Sequence, residues 1–242
     1  MDFVGVDACK KGWFAVALDP KDNWKIGVFK AFDDLWRRWN LLTRIFIDIP
    51  IGLPGAGRRP CDVETRRLLG KRGSSVFAVP CREALSARTY RQACRINQRI
   101  LGVKLSIQTW NISAKIREID TWLRRTPAAQ PRIRESHPEL CFWALNGARA
   151  MVYPKKSLQG FEERFRLLGN IYRHAAPLVR QALNQYRRKD LARDDILDAL
   201  VLAISARFSS GMPQTAPLNP PVDREGLPME IVYYPGRLTR SI

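Results

Sequence analysis

Short runs of β-branched and aromatic residues dominate the start of the chain. Residues 3 to 8 (FVGVDA) and 13 to 18 (WFAVAL) are apolar runs separated by CKKG, a polar break ending in Gly12, and this pattern predicts an antiparallel hairpin. A third run, Trp24 to Phe29, follows the turn-like DPKDN. From Ala31 to Asn40 the period changes: Phe32, Leu35, Trp36 and Trp39 recur at three- and four-residue spacing, which predicts an amphipathic helix. Arg44 to Ile51 then reads as a buried strand ended by Pro50 and Pro54. A helix between two strands permits a right-handed crossover, so the 44 to 49 strand is expected parallel beside the first. Asp7 and Asp48 then fall near the same end of neighbouring strands.

Beyond this point helical periods prevail. Gly52 to Pro60 is a loop of Pro, Gly and Arg, followed by a helical stretch from Asp62 to Leu69 and the Gly- and Ser-rich turn GKRGSS. Residues 82 to 101 and 107 to 125 read as helices with Arg on their outer faces, so 52 to 130 is expected as a mostly helical insertion carried on the sheet. Residues 132 to 136 predict a short fifth strand, and helical patterns occupy 138 to 146, 160 to 169, 172 to 188 and 194 to 209. Positions 211 to 242 form an irregular tail, rich in Pro and polar residues, that contains a last strand-like run, EIVYY. The expected fold is α/β, a mixed five-stranded sheet flanked by helices. At 242 residues and 45% hydrophobic content, one elaborated domain is expected rather than two independent ones.

Charge changes this picture. Lys and Arg total 41 against 23 acidic residues, a formal net charge of +18, and the resulting positive field makes nucleic acid the leading partner class. A basic bias serving solubility alone is the alternative. Against that background two acids, Asp7 in FVGVDAC and Asp48 in IFIDIPIGLP, interrupt strongly apolar runs, where an ionised carboxylate is costly to desolvate unless it meets a cation, a donor or water. Asp195 and Asp198 in DDILDALVLAI are three apart at the start of a helix, so both fall on one face near its N-terminal turn. Helix capping is the competing explanation for the neighbouring Asp194, since the dipole favours acids there. It fits Asp198 less well, because that residue lies a turn further in. Glu135 in RIRESHPE is a further candidate, and the same stretch supplies Glu139, readable as a first-turn helix acid, and His137, one of only two histidines. Carboxylates of this kind suit hard Mg²⁺ or Mn²⁺, which prefer oxygen ligands.

These acids, taken in order, resemble the RNase H-like superfamily. The closer likeness is to a family of uncharacterised proteins predicted to be RNase H-like nucleases, through VGVDACKKGW, FIDIPIGLPGAGRRPCDVETRRLLG, SSVFAVPCREAL, RESHPELCFWAL with KKSLQGFEERFRLL, and DDILDALVLAISA. The last motif is also similar to the acidic helix of Holliday-junction resolvases of the RuvC type. The resemblance implies an RNase H-like sheet. It also implies metal ligands at Asp7 (first strand), Asp48 (fourth strand) and Asp195 with Asp198 (late helix), holding two Mg²⁺ or Mn²⁺ ions that drive phosphodiester hydrolysis. Glu135 is a further catalytic candidate on the fifth strand. The early-helix acid of classical RNase H has no clear counterpart, because Asp33 and Asp34 sit where capping explains them, and this favours the resolvase-type comparison. A resolvase-like enzyme would act as a homodimer.

The basic residues divide by position. Arg58, Arg59, Arg66, Lys71 and Arg72 bracket the loop after Asp48, and Arg82 opens the next helix, so they are expected to clamp substrate phosphates; solvated helix faces are the alternative, particularly for Arg66. Lys155 and Lys156 precede a helix and extend the expected nucleic-acid track. Two other functions remain open: a nucleic-acid binder on the same fold that has lost catalysis, and a phosphotransferase of the actin-like fold, whose first phosphate-binding hairpin GVDACKKGW also resembles. The five cysteines include no CxxC pair, no apolar leader opens the chain, and no run approaches the roughly 18 to 20 apolar residues of a membrane span, so a cytoplasmic protein with reduced thiols is expected.

Overall fold

The computed structural model describes residues 2–39, 43–209 and 212–236. Asn40 at the end of the first predicted helix, and residues 211 and 237–242 of the predicted tail, lie outside them. β1 (Asp2–Cys9), β2 (Gly12–Leu18) and β3 (Trp24–Phe29) form an antiparallel meander. The first turn needs Gly12, whose φ is 136° and where a Cβ would stand 2.0 Å from the Phe29 carbonyl oxygen. α1 (Phe32–Trp39) buries Phe32, Leu35 and Trp39, the residues that gave the helical period. β4 (Thr43–Ile47) then runs parallel to β1, with Val6 opposite Ile47, as the crossover argument requires. It stops short of the predicted Ile51. Pro50 lacks the N–H a continuing ladder needs.

Helices α2 (Pro60–Leu69), α3 (Tyr90–Leu101) and α4 (Ile107–Arg125) follow. The helix predicted over 82 to 101 is broken: Arg82–Ser86 is a 3₁₀ turn, and α3 starts afresh where the Thr89 hydroxyl accepts the Gln92 N–H as an N-cap. β5 (Ile133–Glu135) completes a mixed sheet of five strands in the order β3-β2-β1-β4-β5. Next come α5 (Pro138–Leu145), α6 (Leu158–Ile171), α7 (Ala175–Gln185) and α8 (Arg193–Phe208), then short strands β6 (Gln214–Ala216) and β7 (Ile231–Tyr233). The chain is α/β, with the sheet flanked by helices.

The chain divides into two compact units. The first is drawn from residues 1–48, 136–214 and 232–242, and its centre is α8 packed across β1, β2 and β4. From Ile196 to Ala206 every residue of α8 is buried, so the helix is enclosed on all sides rather than on one stripe. Gly5 permits this. A Cβ there would stand 2.0 Å from the Ala199 carbonyl oxygen and 2.3 Å from the Ala203 nitrogen, so only a bare backbone lets α8 lie on β1. The second unit combines residues 49–135 with 215–231 and holds α2, α3 and α4. Asp223 ties its two pieces together by accepting the Leu53 N–H at 2.8 Å. Among the described residues no helix is long and apolar enough to cross a membrane.

Candidate functional site

The alternation of side chains along a strand puts Asp7 on the same face of β1 as Gly5, two residues earlier, which is the face α8 covers. Asp48 is the first residue after β4, and its N–H donates to the Val6 carbonyl at 2.9 Å, extending the parallel ladder by one step. Asp7 and Asp48 therefore stand side by side at the carboxyl ends of parallel strands, the edge where open α/β sheets place ligands. The N-terminal turns of α8 bring Asp195 and Asp198 to the same site. Asp195 Oδ2 accepts the Ala192 N–H at 3.0 Å, which caps the helix. Asp198 is 1% exposed; its Oδ2 accepts from Lys155 Nζ at 2.7 Å, while its Oδ1 is buried with no hydrogen-bond partner. Lys155 Nζ also lies 3.8 Å from Asp194.

The electrostatics follow from crowding carboxylates where water is scarce. Burial pushes Asp7 well above the usual carboxylate range, and the charges of Asp48, Asp198 and Asp195 push it further. Asp48 is raised to about 7, first by burial, with Lys155 opposing and Asp198 adding to the rise. Asp195 is raised to about 6, again chiefly by burial. Lys155 moves the other way. Asp198 holds its ammonium far above the ordinary lysine range, so it stays charged. One ammonium thus balances a group of aspartates that repel one another. Among the described residues no three His, Cys, Asp or Glu side chains converge closely enough to hold an ion as they stand. The donor set nevertheless fits a hard cation, because Asp198 Oδ1 is a buried acceptor with nothing to accept and the acids resist ionisation without added positive charge.

Other sequence candidates are engaged elsewhere. Glu135 does not present a free carboxylate: both its oxygens accept from the Arg59 guanidinium at 2.7 Å, and its Oε2 also takes the Ile51 N–H at 2.6 Å. Arg59, expected on a phosphate-binding surface, is 1% exposed and donates in addition to Asp62 and to the carbonyls of Ile51 and Gly52. Arg82 is likewise taken up, by Asp120 at 2.8 Å and Asp223 at 2.5 Å. Both arginines hold the second unit together: Arg59 spends Nε and both terminal nitrogens on its partners, and Arg82 spends Nε and Nη2. Arg58 and Lys71 are exposed and Arg66 and Arg72 partly so; Arg58 and Arg66 line a recess of about 60 Å³ with Val63, Val79 and Leu101. All of these belong to the second unit, whereas Asp7, Asp48, Asp195, Asp198 and Lys155 belong to the first. Lys155 meets the acids directly, and Lys156 is exposed beside it.

Residues 5–222 match the family described as Protein of unknown function (DUF429). The chain belongs to the DUF429 family. All the aspartates of the site fall within the matched span of this DUF429 chain. Neither a curated protein nor a solved structure matches it. Two features of its first unit escape a reading of the sequence. Glu139 is bound by the buried Arg164 at 2.5 Å, and Arg164 also donates to the carbonyls of Gly160 and Tyr153. Lys155 is paired with Asp198 at the carboxylate site. In a chain with 41 basic residues nothing local distinguishes a buried Arg or Lys from a solvated one. The only sequence signal was the scarcity of acids, since each buried acid needs a partner.

Proposed function

We propose that Asp7, Asp48, Asp195 and Asp198 hold Mg²⁺ or Mn²⁺ and that the chain is an RNase H-like nuclease hydrolysing phosphodiester bonds of DNA or RNA. The observation that carries this reading is the buried, unpartnered Oδ1 of Asp198 among neighbouring aspartates with a single ammonium to balance them. When bound, such ions supply charge that favours both the attacking and the leaving oxygen of a phosphodiester. The protein's part is positional. β1 and β4 fix Asp7 and Asp48 through backbone pairing, α8 fixes Asp195 and Asp198, and burial of Asp7 and Asp198 keeps competing water away from their oxygens. The net charge of +18 supports a polyanionic substrate.

The Lys155 ion pair favours a second reading, in which the site is neutralised from within and the chain binds nucleic acid without cutting it. Cleavage of labelled single-stranded, duplex, hybrid and branched substrates in Mg²⁺ or Mn²⁺ separates the two. Cleavage lost in Asp7→Asn and Asp198→Asn, with folding retained by circular dichroism, is the expected result. Salt-sensitive binding without cleavage would select the second reading, and undiminished cleavage by both variants would sink the first.

A further inference from the structure

A recess of about 330 Å³ opens beside the aspartates, within the first unit, between the N-termini of α6 and α8. Lys155, Lys156, Arg188 and Arg193 line it, with Asp194 the one acid in the wall. Among the described residues the side chains of Lys156, Arg188 and Arg193 have no ion-pair or hydrogen-bond partner, so their charge is uncompensated. Both helices present free N–H groups there. Ser157 caps α6 by accepting the Gly160 N–H at 3.0 Å, but Ala192 at the N-cap of α8 has no side-chain oxygen to offer its first-turn amides. Three unpaired cations and two helix N-termini turned on one cavity describe an anion site, and phosphate suits it by charge and by number of acceptors.

The recess is larger than phosphate alone requires and lies in the roughly 300–1,000 Å³ range of small-molecule sites. Part of the remaining wall is apolar. Leu158, 62% exposed, and Phe161 face it, and Phe161 is stacked on Phe165, which holds its ring in place. The geometry points to a nucleotide-binding subsite, in which Lys156, Arg188 and Arg193 take the phosphate and Leu158 with Phe161 flank the sugar or base. The choice of a nucleotide rests on the nuclease reading above. Lys155 joins the two places, since its ammonium both lines the recess and bonds Asp198. A strand whose phosphate enters the recess therefore passes next to the aspartates, and Lys155 gains a second anion to turn to.

The test is calorimetric titration of the full chain with AMP, adenosine, inorganic phosphate and the dinucleoside monophosphate ApA, in low salt with EDTA. Saturable AMP binding is expected, with no binding of adenosine, weaker binding of inorganic phosphate, and a loss of roughly tenfold for each of Lys156→Gln and Arg193→Gln. Both substituted residues are exposed, and circular dichroism checks that each variant folds. AMP tighter than ApA identifies a strand's terminal phosphate as the occupant, and the reverse identifies an internal phosphodiester; either supports the subsite. No saturable AMP binding, equal affinity for AMP and inorganic phosphate, or affinity unchanged in both variants overturns it. Because no metal is present, failure here leaves the cleavage reading standing, and AMP binding by a chain that cuts nothing leaves the subsite standing.

Discussion

Asp198 asks different things of its two oxygens. Oδ2 is satisfied by Lys155, but Oδ1 is buried and bare, an arrangement that costs on the order of 1–3 kcal/mol unless a donor or cation arrives. Lys155→Met removes the one counter-charge and should cost about 1–3 kcal/mol in thermal unfolding without metal. Added Mn²⁺ should recover part of that loss, because it supplies the missing positive charge. An equal loss with and without Mn²⁺ would make Asp198 a structural ion-pair partner only. Arg59 illustrates the opposite case, a buried cation fully matched by Glu135 and Asp62. Arg59→Leu strands both acids, and urea unfolding should register a destabilisation of about 3–5 kcal/mol. A change below about 1 kcal/mol would mean that water reaches Glu135 and replaces the guanidinium.

At the scale of elements, the site depends on how closely α8 lies on β1. Gly5→Ala places a Cβ against the Ala199 carbonyl and should cost about 3 kcal/mol by denaturant unfolding, since backbone rather than a flexible side chain must move. The same substitution displaces Asp198 relative to Asp7 and should weaken Mn²⁺ binding even where the chain remains folded. Much of this framework was legible in the sequence. The short β-branched and aromatic runs of β1 and β2, the change to a helical period at Phe32 and the return to a strand at Arg44 gave the order and parallel pairing of β1 and β4. Those features are local, and local patterns are what a sequence displays. The break between Arg82 and Tyr90 was missed because an N-cap at Thr89 outweighed a continuous run of helix formers. The partners of Glu135 and Glu139 were missed for a different reason: Arg59 and Arg164 lie 76 and 25 positions away, and only the fold brings them there.

For the whole molecule, the balance of charge sets the dependence on pH and metal. Asp48 and Asp195 bind protons more tightly when folded than at the ordinary value of 3.8, with folded values of about 7 and about 6. Their contribution to stability without metal is therefore complete below 3.8 and is lost as pH rises through 6 to 7. Divalent cations need the ionised carboxylates, so Mn²⁺ affinity should rise over the same interval. Thermal unfolding followed from about pH 5 to 8 should show stability falling with pH without Mn²⁺ and nearly independent of pH with saturating Mn²⁺, because the metal-bound and the unfolded carboxylates are then both free of protons. Parallel slopes would mean that the aspartates titrate without reference to metal. The most direct test of the central claim is calorimetric titration of Mn²⁺ into the folded chain and its Asp198→Asn variant near neutral pH. Saturable binding by the native chain that falls at least about tenfold in the variant is expected. No saturable binding, or the same affinity in both, would contradict it.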